Sequence, residues 1–283
     1  MNATPAGAIT RPPLRYFGGK FRLAPWIIEH FPPHGAYVES FGGGAGVLLR
    51  KVPVDLEVYN DLDGDIVNVF RVLRDPAQAR ALEVRLTLTP FARAEFELTY
   101  EPTADPVEAA ARTITRSWLG FGTSAATKGT TGFRMSPKDV RLWGAMGSLA
   151  EGLGPVTARL RSVLLECRPG IEVMLRFDGA DVLHYVDPPY LFATRDPHTK
   201  GKAPWRRYYR HEMSDWDHVQ LLTALRNLKG MVVLSGYDNP LYAEQLKDWR
   251  RVERSAAASG GRFGGVARTE SLWLNPATCR ALA

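Results

Sequence analysis

Val182-Leu183-His184-Tyr185-Val186-Asp187-Pro188-Pro189-Tyr190 is an apolar, strand-forming run that stops at a carboxylate, two prolines and an aromatic ring. Val, Leu and Tyr suit a pleated, buried setting, while prolines lack amide protons and cannot continue a central strand. The chain must therefore leave its sheet at Asp187. In an open α/β sheet, ligands sit outside the carboxyl ends of the strands, so Asp187 and Tyr190 should face a crevice. A residue before proline stays extended, and the carbonyls of a proline pair are left as outward acceptors. Asp187 with a carbonyl of Pro188-Pro189 makes two acceptors for one amino group, and Tyr190 adds a flat surface. A planar heterocycle bearing an exocyclic amine fits that arrangement. Turn chemistry alone accounts for the same four residues equally well, because Asp and Pro are common in turns.

Working outward, Ala36-Tyr37-Val38-Glu39-Ser40-Phe41 reads as a strand running into Gly42-Gly43-Gly44-Ala45-Gly46, after which Val47-Leu48-Leu49 should continue as a helix. Strand, glycine turn and helix make the first half of a nucleotide-binding unit, and the glycines imply a ligand pressed against the backbone. The third glycine of a dinucleotide fingerprint is missing, since Val47 stands there, which weakens a hydride-transfer reading. A second strand, Leu56–Tyr59, ends at Asn60-Asp61-Leu62-Asp63 and leads into a helix over Gly64–Leu73. An acid at that place is where such folds hold ribose hydroxyls; Asp61 is the candidate, and Asp63 could cap the helix. Earlier, Tyr16-Phe17-Gly18-Gly19-Lys20 combines paired glycines with a cation, but Phe21 follows Lys20, so it is not a phosphate loop.

Between Pro76 and Arg168 the pattern turns helical, with segments at Ala77–Leu88, Phe91–Tyr100, Val107–Leu119, Leu142–Leu153 and Val156–Val163. They enclose a long Gly/Thr loop over Gly120–Arg134, and loops of that length inside a compact fold are usually functional or disordered. Arg116, Lys128, Arg134, Lys138 and Arg141 surround it, with Trp118, Phe121 and Phe133 interspersed, a mixture that suits phosphates and bases. Any one of these cations reads equally as a solvated surface residue. A third strand at Val163–Glu166 and a helix at Ile171–Phe177 precede the Asp187 strand; a basic loop carrying Arg207 and Tyr209 follows it. A helix over Asp215–Leu228, a strand over Met231–Ser235, a helix near Leu241–Lys247 and strands near Val252 and Leu272–Leu274 complete an α/β pattern. Strands alternating with helices predict a largely parallel sheet with right-handed crossovers.

Composition excludes several classes. The 283 residues, 45% hydrophobic and 23% charged, describe a soluble globular chain, and no apolar run reaches membrane-spanning length. Met1–Pro13 lacks the apolar centre of a signal peptide and reads as a loose leader. Cys167 and Cys279 offer neither a disulfide framework nor zinc spacing, so a reducing cytoplasm is expected. A net charge of +6 makes a polyanionic partner plausible. No metal is expected: His30 and His34 have helical spacing, but Pro32-Pro33 lies between them. His184, inside an apolar strand, reads as a core residue.

These motifs together resemble the Dam-type DNA adenine methyltransferases of bacteria and their phages. The likeness covers Tyr16-Phe17-Gly18-Gly19-Lys20, Glu39-Ser40-Phe41-Gly42-Gly43-Gly44-Ala45-Gly46, Asp61, Asp187-Pro188-Pro189-Tyr190, and the tail from Ser235-Gly236-Tyr237-Asp238 to Leu272-Trp273, in the family's order. The resemblance implies a Rossmann-like methyltransferase sheet with helices on both faces, built from residues 1–75 and 164–283. Residues 76–163 would be an inserted, mainly helical target-recognition domain. S-adenosylmethionine, leaving as S-adenosylhomocysteine, would lie over Gly42, Gly44 and Gly46, with Tyr16 and Lys20 closing its site, Asp61 holding the ribose, Glu39 and Phe41 lining the methionine and adenosine ends, and Leu62 among the binding residues. Asp187, beside the cofactor, would with Pro188, Pro189 and Tyr190 receive a flipped adenine.

Double-stranded DNA is then the expected partner of a cytoplasmic monomer, in a restriction-modification, phage or housekeeping setting. Methylation of a cytosine ring carbon is excluded, since it needs a cysteine typically placed after proline, and Cys167 follows Glu166 while Cys279 follows Thr278. Methylation of the cytosine amine or of a non-DNA amine, and an inactive nucleic-acid binder on the same fold, stay open on the residues themselves. The Gly120–Arg134 loop does not reproduce the pattern of GATC-reading members.

Overall fold

The computed structural model describes residues 9–122, 126–127, 131–135, 148–195, 208–258 and 266–283. Seven strands form one sheet: β1 (Ala36–Glu39), β2 (Leu56–Asn60), β3 (Val163–Glu166), β4 (Val182–Val186), β5 (Met231–Gly236), β6 (Arg250–Ala258) and β7 (Val266–Leu274), in the order β3-β2-β1-β4-β5-β7-β6. β3 through β5 in that order are parallel. β7 runs antiparallel between β5 and β6, because β6 and β7 are joined as a hairpin and need no crossover helix.

The helices described are α1 (Ala24–Ile28), α2 (Gly64–Arg74), α3 (Pro76–Leu88), α4 (Arg93–Leu98), α5 (Pro106–Leu119), α6 (Leu153–Leu160), α7 (Gly170–Arg176), α8 (Phe192–Arg195), α9 (Asp215–Asn227), α10 (Pro240–Gln245) and α11 (Pro276–Ala281). Four of them start alike: Asp75, Asp105, Asn239 and Asn275 each accept a first-turn N–H, and each precedes a proline at the first helical position. That proline needs no amide partner there, so α3, α5 and α10 begin one residue earlier than hydrophobic spacing suggests.

Helices cover both faces of the sheet. Tyr37, Tyr59, Leu183, Tyr185 and Val233 share a core with Ile66 and Phe70 of α2, Leu82 of α3, Ile114 of α5 and Leu160 of α6. On the opposite face Val186, Val232 and Leu234 pack with Leu221, Leu222 and Leu225 of α9, and Val38, Val58 and Val182 pack with Val173 of α7. The helical stretch between β2 and β3 thus packs on α2 and shares the core of the sheet. Glu57 of β2 adds an ionic tie, at 2.5 Å from Arg159 of α6 and 3.0 Å from Lys51. Among the described residues, no helix is long and apolar enough to cross a membrane.

Two expectations are corrected. Val47–Leu49 form successive turns but no regular helix. Ala45 has φ +53°, and the Leu48 N–H donates to the Glu39 carboxylate at 2.9 Å, so the helical ladder is interrupted. The end of the leader is also less loose than its composition suggests: Pro13 is buried, its carbonyl accepts from Trp118 Nε1 at 3.3 Å, and Arg11 donates to Ser148 Oγ at 3.0 Å, while residues 1–8 lie outside the described residues.

Candidate active site

β1 and β4 are neighbours, and β2 lies on the far side of β1, so the connection direction reverses between them. That is the switch point at which loops diverge and leave a crevice. Glu39 stands opposite Tyr185 in the register, so the glycine turn and the Asp187 turn leave the sheet side by side.

The glycine turn is held from β2. Asp61 accepts from Gly43 N through Oδ2 and from Asp63 N through Oδ1, both at 2.8 Å. The Tyr59 hydroxyl donates to the Gly43 carbonyl at 2.7 Å, and Gly43 itself has φ +47°, in the left-handed region. At Gly46 a Cβ would lie 2.6 Å from Phe21 N, so this glycine lets the turn seat against the Tyr16–Lys20 motif. Asn60, at the end of β2, donates from Nδ2 to the carbonyls of Ser40 at 2.8 Å and Arg168 at 2.9 Å, locking three strand ends together. Burial pushes the Asp61 carboxyl up to about 6, against the pull of the Asp63 and Gly43 N–H groups. Burial also raises Glu39 to about 8, although it accepts from Tyr37 Oη at 2.6 Å and from Leu48 N. Asp63 caps α2 by accepting from Asp65 N, the role its position suggested.

At the second turn, Lys20 Nζ lies 2.9 Å from Asp187 Oδ1, donates to the Gly18 carbonyl at 2.9 Å, and stands 4.8 Å from the Tyr190 ring centroid. Burial raises the Asp187 carboxyl, and Lys20 opposes that rise. For Lys20, burial works against the charge, but Asp187 and Glu270 outweigh it and the ammonium is held above its usual range. Tyr190 is fixed from β7: its hydroxyl donates to Glu270 Oε2 at 3.0 Å, and its ring meets Tyr237 edge-on at 4.7 Å.

Both turns open into one cleft of about 300 Å³. Tyr16, Lys20, Glu39, Phe41, Gly42, Gly44, Gly46, Asp61, Leu62 and Asp187, the residues assigned to a cofactor, all line it, with Pro189. Its size suits a nucleoside-sized molecule. The donor set suits S-adenosylmethionine: carboxylates for cationic and hydroxyl groups, rings for a base, and the buried Ser40 hydroxyl, which has no partner among the described residues.

The residues assigned to DNA fare differently. Arg116 is only 7% exposed; it donates to the carbonyls of Thr99 at 2.7 Å and Ala126 at 3.3 Å, and it lies over the Tyr100 ring. It is corrected to an internal staple, because two carbonyls and an aromatic face take the place of solvent around its guanidinium. Arg134 is half-buried and donates to the Gly120 carbonyl at 2.7 Å, closing the loop whose Gly120 and Phe133 form a bridge. Tyr209 lies on the cleft wall, its hydroxyl 3.3 Å from the Phe17 carbonyl. Lys128, Lys138, Arg141 and Arg207 fall outside the described residues. His184 is fully buried, and burial lowers its pKa to about 4, so it is a neutral core residue.

Several contributors escaped the sequence reading. Residues 208–213 form a strap along the cleft: Tyr208 stacks on Phe17 at 4.4 Å, and Arg210 pairs with Asp63 at 2.9 Å and Asp65 at 2.6 Å. Glu212 Oε1 accepts from the N–H groups of Tyr208 and Tyr209, while Oε2 takes Arg195 at 2.6 Å. Runs of Arg and Tyr carry no periodicity, so nothing local signals that they face inward. Asn60, ending β2, and Glu270, in the middle of β7, were equally silent, since a single polar residue in a strand looks like any other.

No curated protein matched the chain. Residues 16–97 match the family model of D12 class N6 adenine-specific DNA methyltransferases, a match that ends before Asp187 and that supports DNA adenine methylation as the general activity. The stretch holding the Tyr16–Lys20 motif, the glycine turn and Asp61 is therefore similar to that of D12 class N6 adenine-specific DNA methyltransferases, in agreement with the Dam-type resemblance.

Proposed function

We propose that the protein transfers a methyl group from S-adenosylmethionine to the exocyclic amine of an adenine turned out of double-stranded DNA. The observation that carries this reading is the shared cleft, in which the glycine turn and Asp187 leave adjacent strands. S-adenosylmethionine, when bound, supplies an electrophilic methyl on sulfur and leaves as S-adenosylhomocysteine.

The chain's own residues do the rest. The exocyclic amine is a poor nucleophile because its lone pair is delocalised into the ring. Lys20 occupies Asp187 Oδ1, which leaves Oδ2 to accept one amine proton, and the Pro188 carbonyl accepts the other. Drawing both protons out of conjugation returns the lone pair to nitrogen. The pairing with Lys20 opposes protonation of the buried Asp187, and an ionised carboxylate stabilises the positive charge that builds on nitrogen until the methylated amine releases one proton to solvent. Tyr190, braced by Glu270 and Tyr237, stacks on the base and holds it in line. A clamp set inside a cleft is out of reach of a base still stacked in a duplex, so the base must flip. Asp61 holds the ribose: each oxygen already accepts one backbone N–H and has a further lone pair to offer. Residues 76–163, with Lys128 and Arg134, would contact the target sequence, and the protein would act as a monomer.

Incubating the chain with duplex DNA and methyl-labelled S-adenosylmethionine should yield N6-methyladenine. Label on cytosine, or no label despite DNA binding, would overturn the reading in favour of the cytosine amine or an inactive binder. Asp61→Ala should weaken S-adenosylmethionine binding by about tenfold or more in calorimetry, the loss of one charge-assisted contact. Unchanged affinity would remove Asp61 from the ribose site.

A further inference from the structure

The β6–β7 hairpin is longer than the sheet it edges. β5 ends at Gly236, opposite Ser271, whereas β6 and β7 continue for five further pairs, Arg254 opposite Glu270 through Ala258 opposite Val266. At about 3.4 Å per residue, the ribbon rises about 17 Å beyond the end of β5. The direction follows from the register. Leu234 of β5 is level with Val186 of β4, so the ribbon projects past the same carboxyl edge that carries Asp187. Its base is part of the clamp, because Glu270 receives the Tyr190 hydroxyl at 3.0 Å and Ser271 Oγ donates to Glu253 at 3.3 Å.

Nothing in the methyl-transfer chemistry needs strands of this length. An exposed edge ribbon also carries an association hazard, so its composition is informative. The five pairs hold two arginines, Arg254 and Arg268, and one acid, Glu270, which the Tyr190 hydroxyl engages; their other residues are mostly Ala. Small side chains keep a two-stranded ribbon slender, and the major groove of B-DNA admits a ribbon of that kind. Register puts Ala256 opposite Arg268, with Arg254 two residues earlier along β6, so the cations are spaced along the ribbon. Arg254 is exposed.

We propose that the β6–β7 ribbon is a second DNA-binding element, one that enters the duplex beside the extruded base and holds it by backbone contact. It stands at the β6 edge of the sheet, whereas residues 76–163 are inserted next to β3 at the other edge, so the clamp lies between them. This inference rests on the DNA methyltransferase reading and adds a contact which that reading does not require.

The test is the pair R254S/R268S, compared with a variant in which residues 256–268 are replaced by Asn-Gly to close a short hairpin. Both should keep S-adenosylmethionine affinity and the maximal rate at saturating DNA. Both should raise the KM for duplex DNA roughly tenfold, and the charge variant should flatten the salt dependence of binding by about 2 in log-log slope, one per lost phosphate contact. Wild-type KM and wild-type salt slope in both variants would overturn the ribbon while leaving the methyltransferase reading intact. A wild-type chain that neither binds nor methylates DNA would overturn both. If the shortened variant fails to fold, R254S/R268S decides alone, since its substitutions lie on the projecting edge ribbon.

Discussion

Asp187→Ala should lower the rate of methyl transfer by about a thousandfold or more while S-adenosylmethionine still binds, the scale seen when a buried group aimed at developing charge is removed. Three effects coincide. The amine loses its charged acceptor, the charge on nitrogen goes unanswered, and Lys20 becomes a buried ammonium without its 2.9 Å partner. The third effect falls on stability and can be separated from the other two. Adding Lys20→Met to Asp187→Ala removes the stranded charge, so the double variant should recover thermal stability without recovering activity. Single-turnover rates with saturating cofactor and DNA, alongside calorimetric cofactor affinity, make the measurement. An Asp187→Ala protein that turns over near the wild-type rate would exclude the clamp as the site of chemistry.

Arg159→Leu should cost about 3–5 kcal/mol of stability, the usual penalty for breaking a buried pair by removing one partner. Glu57 is 1% exposed and receives both Arg159 and Lys51, so it would be left with one cation at its carboxylate. Arg159 also donates to the Leu48 carbonyl at 2.9 Å, within the turns that follow the glycine loop and next to the N–H held by Glu39. Loss of the fork should therefore loosen the loop as well as the α6 contact, and cofactor affinity should fall with stability. Arg159→Lys supplies charge without the bidentate fork and should recover only part of the loss. Denaturant unfolding with calorimetry checks this; a change under about 1 kcal/mol would show that the pair is neutral in net effect.

Much of the architecture could be read from local pattern. Val182–Val186 and Met231–Gly236 are buried along their whole length, and apolar runs of that kind announce central parallel strands. Asp75-Pro76, Asp105-Pro106 and Asn239-Pro240 start helices one residue before the hydrophobic spacing does, and Asn275-Pro276 opens a helix that the spacing did not reveal, although capping and the missing amide act within one turn. The glycine-turn side of the cleft was legible in part: glycines in a βα turn and an acid ending the next strand are neighbours in sequence as well as in space.

What escaped was whatever depends on two distant segments meeting. Arg116 looked like a surface cation until the Thr99 and Ala126 carbonyls were seen to enclose it. Lys20 was assigned to the cofactor, and it does line the cleft, but its ammonium is placed by Asp187, 167 positions away along the chain. The expected helix after Gly46 was lost to a hydrogen bond from Leu48 to Glu39 that no propensity encodes. By itself the sequence determined the strand order's ingredients, the glycine turn and the acid-proline-proline-aromatic corner, because backbone sterics and hydrogen bonding act over a few residues. Only the tertiary structure decided which charges are paired, which are buried and which reach outward, because Coulomb and desolvation energies depend on separation in space rather than along the chain.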